Sequence, residues 1–443
     1  MKIIVLAAGE GKRMWPIKED KCLIPFLGKP LLYHNLKKIT AHLEGVPAER
    51  GKLAHLRGVL EFVIVASPTS EAGVEKVASE LGLEYTVVVQ QEPKGMADAL
   101  LSAKEYLEGE VLVVNAEDVI DGKLYADVSK GGAEVVFAGL KVDKYFPGGY
   151  LRVEGERVKG ILEKPGEGNE PSDLVKLVVD YFKDGKRLVE YLENASSEKD
   201  DVYEKALDQM IKDGVEVKFV EYAGVWIPLK YPWQILDILE HLLGDIEQQI
   251  SSASNVSEKA IITGQVVIEE GVKVFEGATI KGPCYIGKNV IVGNNSMVRE
   301  SNIEEGCVTG FNSDITRSYI GANSWFHTNY IGDSVIEGDF GMGSGAVLAN
   351  LRLDDHSIRV GEEKVDSGRH KLGLIAGKGS RIGVNASTMP GARIGSNSLL
   401  GPGVVLYGDI KDNTKVIVKQ ELEESEHTPT LTSYDQFRGR LEK

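Results

Sequence analysis

The chain is poor in cysteine. Only three of its 443 residues are Cys, at positions 22, 284 and 307, too scattered for a zinc site or a disulfide framework. Long apolar runs are missing as well, and no stretch approaches the ~18 consecutive apolar residues that a spanning helix needs. There is no basic excess either. The net charge is -16, whereas general nucleic-acid binding draws on a cationic face that displaces counterions from phosphates. These absences point away from membranes and nucleic acids and toward a reducing, cytoplasmic setting. Any phosphate contact has to be local.

What the chain does have is glycine, 50 residues of it, against an average usage near 7%. Hydrophobic residues at 42% and charged residues at 27% are those of a globular protein. Single cores stop growing near ~250 to 300 residues, so this length predicts two domains. The opening Met-Lys-Ile-Ile-Val-Leu-Ala-Ala-Gly runs straight into a glycine-rich loop, which suits a first buried strand better than a signal peptide.

Short β-branched runs at residues 3–6, 62–66, 86–89, 111–114 and 135–140 alternate with helical patterns. That alternation predicts an α/β domain with a mostly parallel sheet between helices, over residues 1–231. Residues 232–257 then read as a connecting helix and Ser-rich linker. Beyond them the period changes to six. Ile268, Val274, Ile280, Ile286 and Val292 are evenly spaced, as are Ile382, Thr388, Ile394 and Leu400, with Gly and Asn between them. A six-residue repeat with one aliphatic per turn predicts a parallel β-helix over residues 258–420. Residues 351–374 break the hexads and read as a loop thrown out of the coil. Residues 421–443 form a mixed-charge tail, helical or loose.

Residues 3–6 lead into Ala7-Ala8-Gly9-Glu10-Gly11-Lys12-Arg13-Met14. Such a loop lets backbone N–H groups approach phosphate oxygens, and Arg13 adds a fixed cationic fork. A bare Gly-x-Gly after a strand is equally a tight turn. Lys21 follows in Asp20-Lys21-Cys22-Leu23-Ile24-Pro25, then Gly28-Lys29-Pro30-Leu31. Together these segments resemble the signature of sugar-1-phosphate nucleotidylyltransferases. The resemblance implies a Rossmann-like fold whose loop, with Ala8, Gly9 and Gly11, holds UTP or another nucleoside triphosphate. Arg13 and Lys21 would then act on the reacting phosphates. Further matches follow in family order: Gln90 and Gly95 where the base is recognised, Asp118 where Mg²⁺ is held, and Gly149, Glu163 and Lys164 in the sugar pocket. Two positions depart from the pattern. Lys176-Leu177-Val178 stands where the family has a sugar-contacting Asn-x-Gly, and Pro228 replaces a second metal-binding Asp.

In the second half, His327-Thr328-Asn329-Tyr330-Ile331-Gly332-Asp333 and the segment from Gly343 through Asn350 to Arg352 stand out, followed by Asp366-Ser367-Gly368-Arg369-His370-Lys371. They resemble the acetyltransferase half of bifunctional glucosamine-1-phosphate acetyltransferase/uridylyltransferases in its archaeal form. That resemblance implies a left-handed β-helix of hexapeptide repeats, acetyl-CoA as donor, and a homotrimer with the coenzyme pocket between neighbours. His327 would be the general base, Tyr330 and Asn350 would orient the sugar, Arg299 would pair with its phosphate, and Lys371 would reach in from the loop. A family lysine aligns with Thr316, beside Arg317, and a family asparagine with Gly341. The sequence thus predicts a sugar-nucleotide enzyme acting on small sugar phosphates and nucleotides. The alternative is an acyltransferase whose N-terminal domain is a degenerate binding module.

Overall fold

The structure is a computed structural model that describes residues 1–43, 60–199 and 201–428. The N-terminal half contains β1 (Lys2–Ala7), β2 (Pro25–Phe26), β3 (Lys29–Pro30), α1 (Leu31–Leu43), β4 (Glu61–Ala66), α2 (Glu71–Leu81), β5 (Glu84–Val89), α3 (Met96–Ser102) and β6 (Val111–Asn115). It continues with β7 (Asp118–Ile120), α4 (Lys123–Ser129), β8 (Val135–Lys141), β9 (Gly149–Glu154), β10 (Arg157–Glu163), β11 (Leu174–Phe182), α5 (Gly185–Asn194), α6 (Val202–Lys212), β12 (Val217–Tyr222), β13 (Trp226–Pro228) and α7 (Gln234–Gly244).

Nine of these strands make one sheet in the order β5-β4-β1-β6-β11-β8-β12-β10-β9. Alternate residues of β1 feed two cores: Ile3, Val5 and Ala7 pack toward α1, α2 and α4, while Ile4 and Leu6 pack toward α3, α5 and α6. That double burial is why the run is continuously apolar. The expected parallel sheet holds for β5, β4, β1 and β6. It holds again for β8 and β12, and the exceptions are β11, which runs antiparallel between β6 and β8, and the antiparallel ribbon of β9 and β10. Local apolar runs do not encode strand direction.

The second half is a parallel β-helix with three ladders of short strands. The hexad aliphatics form its interior: Ile268, Val274, Ile280, Ile286 and Val292 are buried in one continuous core with Ile382, Ile394 and Leu400. Tight corners explain the glycines. Gly271 takes φ 73°, and a Cβ there would sit 2.2 Å from Asn289 Oδ1 in the next coil. Coiling starts earlier than the sequence reading placed it. Gln249–Ile250 and Asn255–Val256 already pair with the next coil, so the Ser-rich segment is the first turn of the β-helix and not a linker. Residues 351–374 do leave the coil, and they form a hairpin of Arg359–Val360 and Val365–Asp366.

One ladder of the β-helix carries the N-terminal half. Its outward residues Tyr285, Tyr319, Val335 and Ile375 are buried with Met14, Ile17, Phe26 and α7 residues such as Ile235 and Leu239. Ile358, Val360 and Leu372 from the hairpin region join the same cluster, and Arg369 pairs with Asp237 of α7. Among the described residues, no helix is long and apolar enough to cross a membrane. The three cysteines are buried and free. Residues 421–428 lack regular structure, and the rest of the tail, 429–443, lies outside the described residues.

Candidate active site

A cleft of about 530 Å³ opens at the C-terminal ends of β1 and β6, the edge where open α/β sheets bind ligands. It gathers Ala8, Gly9, Gly11, Arg13, Lys21, Gln90, Gly95, Asp118, Gly149, Glu163 and Lys164, all singled out in the sequence. Gly11 adopts φ 64°, a conformation that glycine takes without strain. At Gly9 a Cβ would lie 2.9 Å from Glu117 Oε1, so the missing side chain leaves room for the Lys21–Glu117 ion pair. Lys21 is thereby held on a carboxylate that burial pushes toward the protonated form. Gln90 is buried, and its amide NH₂ donates to Gly95 O at 3.2 Å and to Asp98 Oδ2 at 2.7 Å. Its carbonyl oxygen is left as the acceptor. Glu163 pairs with Lys164 at 2.8 Å and stands opposite Gly149 in the β9–β10 ribbon.

Sequence reasoning missed Asn115, Glu117's ion pair, Glu204, Phe146, Trp226 and Lys230 as cleft residues. Burial pushes Glu204 up to about 7. Lys176, which stands where the family has its sugar-contacting Asn, lies on the cleft wall, but its side chain turns inward. It pairs with Asp180 at 2.5 Å, the two side chains 4% and 0% exposed, and lies over the Phe137 and Tyr203 rings.

Asp118 was expected to hold Mg²⁺, and the groups around it do not fit that ion. Trp226 Nε1 donates to Asp118 Oδ2 at 3.1 Å, and Asn115 also hydrogen-bonds the carboxylate. Across the β7–β13 pairing its partner is Pro228, which offers no ligand. Burial pushes Asp118 up, opposed by the Trp226 indole and the Lys230 ammonium. Glu117 is committed to Lys21, and among the described residues no group of three His, Cys, Asp or Glu is placed to hold a metal. Mg²⁺ wants near-octahedral oxygen ligands, and a lysine beside a lone, doubly hydrogen-bonded carboxylate is a poor set.

On the β-helix, register assembles the second site. Met297–Arg299, Asp314–Thr316, Tyr330–Gly332 and Val347–Leu348 are successive rungs of one ladder, so Arg299, Thr316 and Gly332 stack in one column. Rungs are ~4.8 Å apart. Gly332 matters sterically, because a Cβ there would meet Asn350 Nδ2 at 2.5 Å and Tyr330 Oη at 2.7 Å. Asn350 donates to Tyr330 Oη at 3.2 Å and to Asp333 Oδ2 at 2.5 Å. Arg317 closes the network on Asp333 at 2.7 and 2.8 Å. Asp333 and Arg317 are thus the positioning groups that the motif alone did not assign. Arg299 is held by Asp314 at 2.9 and 2.8 Å. The His327 ring meets Trp325 edge-to-face at 5.3 Å and has no hydrogen-bond partner among the described residues. Lys371 is exposed and bridges Leu351, one residue from Asn350.

Residues 2–227 match the family model described as Nucleotidyl transferase, and residues 265–300 match Bacterial transferase hexapeptide (six repeats). The "Bifunctional protein GlmU" of Methanococcus vannielii is 30% identical over 434 residues, 95% of this chain and 99% of that protein. The chain belongs to the bifunctional sugar-1-phosphate nucleotidylyltransferase/acetyltransferase family. A "Bifunctional protein GlmU" of Methanococcus maripaludis (strain C7) is 31% identical over 437 residues, 95% of this chain and 98% of that protein. The "Bifunctional sugar-1-phosphate nucleotidylyltransferase/acetyltransferase" of Sulfurisphaera tokodaii is 30% identical over 427 residues, 93% of this chain and 98% of that protein. This member of the family is an enzyme with both transferase domains, and it carries Pro228 and a buried Lys176 in its nucleotidyltransferase cleft.

Proposed function

We propose that the β-helix moves an acetyl group from acetyl-CoA to the amine of an amino-sugar-1-phosphate such as glucosamine-1-phosphate, with His327 as general base. The observation that carries this reading is the His327 ring, which packs edge-to-face on Trp325 and has no hydrogen-bond partner among the described residues, three residues before Tyr330 of the Asn350–Tyr330–Asp333 network. The amine nitrogen attacks the thioester carbonyl carbon as His327 takes its proton, and the C–S bond then breaks to release the thiol of coenzyme A. An imidazole does this at neutral pH. Arg299 suits the sugar phosphate, with Lys371 contributing from the loop, and Tyr330 and Asn350 suit the sugar hydroxyls. The coenzyme pocket lies between neighbouring β-helices of a homotrimer, in a cytoplasmic setting. His327→Ala lowers acetyl transfer by about 10² to 10⁴-fold, the usual worth of a positioned base, with the circular dichroism unchanged. Undiminished coenzyme A release from the variant would assign the base elsewhere.

For the N-terminal cleft we propose binding of UTP, or another nucleoside triphosphate with its accompanying magnesium as substrate, and slow nucleotidyl transfer to a sugar-1-phosphate. The Gly9 and Gly11 loop, Arg13 and Lys21 support phosphate binding. Lys21 exchanges Glu117 for phosphate oxygens when nucleotide enters. The free acceptor of Gln90 suits the imide N–H of a pyrimidine, and Gly95 keeps that segment open. Glu163, Lys164 and Gly149 line the sugar side. Pro228 and the inward Lys176 favour the second reading, a binding module with little turnover. Calorimetry with UTP, paired with pyrophosphate release over a panel of sugar-1-phosphates, separates the two. Brisk release would remove the degenerate-site reading, and binding without release would support it.

A further inference from the structure

The cleft contains a cation that no motif accounts for. Lys230 follows Pro228 by two residues, in the turn between β13 and α7, where its backbone N–H donates to Gln234 Oε1 at 2.8 Å. Its side chain lines the cleft. The ammonium lies 4.3 Å from the centroid of the Phe146 ring and 5.7 Å from that of Trp226. Among the described residues no carboxylate comes within ion-pairing distance of it. Two neighbouring cations differ in this respect: Lys21 is on Glu117 and Lys164 on Glu163.

Aromatic faces hold an ammonium without neutralising it, so Lys230 keeps hydrogen-bond donors for a ligand. The Asp118 and Glu163 carboxylates favour its charged form, and Arg13 and Lys164 oppose it; all four line the same cleft. A divalent cation on Asp118 would be repelled by the Lys230 ammonium. An anionic ligand would be attracted by Lys230 and Arg13 together, more strongly in a partly desolvated cleft than in water.

We propose that Lys230 binds the phosphate oxygens of the nucleotide beside Asp118, so that nucleotide binding needs no divalent cation held by the protein. This rests on the reading of the cleft as a nucleoside triphosphate site. Two residues of one segment bear on this: Pro228 offers no carboxylate to hold a metal, and Lys230 supplies positive charge from two residues away.

The test is calorimetry of the full chain with UTP, in magnesium and in excess EDTA. Wild-type affinity changes by no more than about threefold between the two conditions. Lys230→Met weakens UTP by about 10- to 100-fold in both, the worth of a hydrogen bond to a charged group, and Lys230→Arg keeps most of the affinity. Thermal melting of each variant checks the fold. Should Lys230→Met fail to fold, the wild-type comparison and Lys230→Arg carry the test. Loss of wild-type binding in EDTA, or a Lys230→Met variant that binds like wild type, overturns the proposal and leaves the nucleotide site standing. No UTP binding in either condition overturns the nucleotide reading, and this proposal with it.

Discussion

Glu304 sits at the seam between the two halves, accepting from Gly28 N at 3.3 Å and from Asn302 Nδ2 at 3.0 Å. Burial pushes its carboxyl up to about 7 from an ordinary 4.5, with the Asn302 and Gly28 bonds opposing. The folded state therefore binds an extra proton between those values, and stability falls as pH rises through that window. Glu304→Gln keeps both acceptor contacts and removes the buried charge. Its stabilisation grows by about 2 to 3 kcal/mol from near pH 5 to near pH 8, read from thermal melts at the two pH values. An equal gain at both would show that the carboxyl does not titrate there. Residues such as this are illegible in sequence, since what buries Glu304 is the distant Leu27-Gly28 turn. Lys21, Gln90 and His327 were legible, because each lies in a contiguous motif. Lys230 was not, and neither were the partners of Asp333, which closes the His327 motif but meets Asn350 and Arg317 only through the fold.

At the scale of the element, β11 shows how a departure from a family pattern can be structural. Its register with β8 shifts between Leu177 and Asp180, and a bulge of this kind re-aims side chains. Here Lys176 turns into the domain, where Asp180 also accepts from Tyr203 Oη at 2.7 Å. The sequence reading noted Lys176 as a departure from the family's sugar-contacting segment, and it had no means of seeing that its ammonium is spent on Asp180. Lys176→Ala strands a buried carboxylate and costs about 3 to 5 kcal/mol, whereas Lys176→Met with Asp180→Asn removes both charges and costs much less. Chemical denaturation of the three proteins measures the difference. If the single variant is as stable as the double, Asp180 is already neutral in the fold. The hexads were readable because one side chain per turn points into the coil. The β9–β10 ribbon was not, since its antiparallel pairing leaves no period that distinguishes it from the parallel strands.

At the scale of the molecule, the three ladders of the β-helix have different fates. The one bearing Tyr285, Tyr319 and Val335 is covered by the N-terminal half. The other two present Met297, Trp325, Val347, Leu399 and Val405 at the surface, with Phe311 between rungs, each between 37% and 53% exposed. Such an apolar surface along two sides of a rigid prism marks an interaction surface, and the proposed ring of three would cover it by setting one side of each prism against a different side of its neighbour. His327 lies beside Trp325, so the same surface flanks the proposed acetyl-transfer site. Light scattering of the full chain therefore gives the mass of three chains. Leu399→Glu with Val405→Glu places charges in the buried contact and shifts the population toward monomer. With the coenzyme pocket proposed between neighbours and the nucleotide site proposed within one chain's cleft, that variant is expected to lose acetyl transfer and to keep UTP binding. A monodisperse wild-type monomer with full acetyl transfer would show that the pocket is complete in one subunit, and the exposed face would then have no part in the reaction.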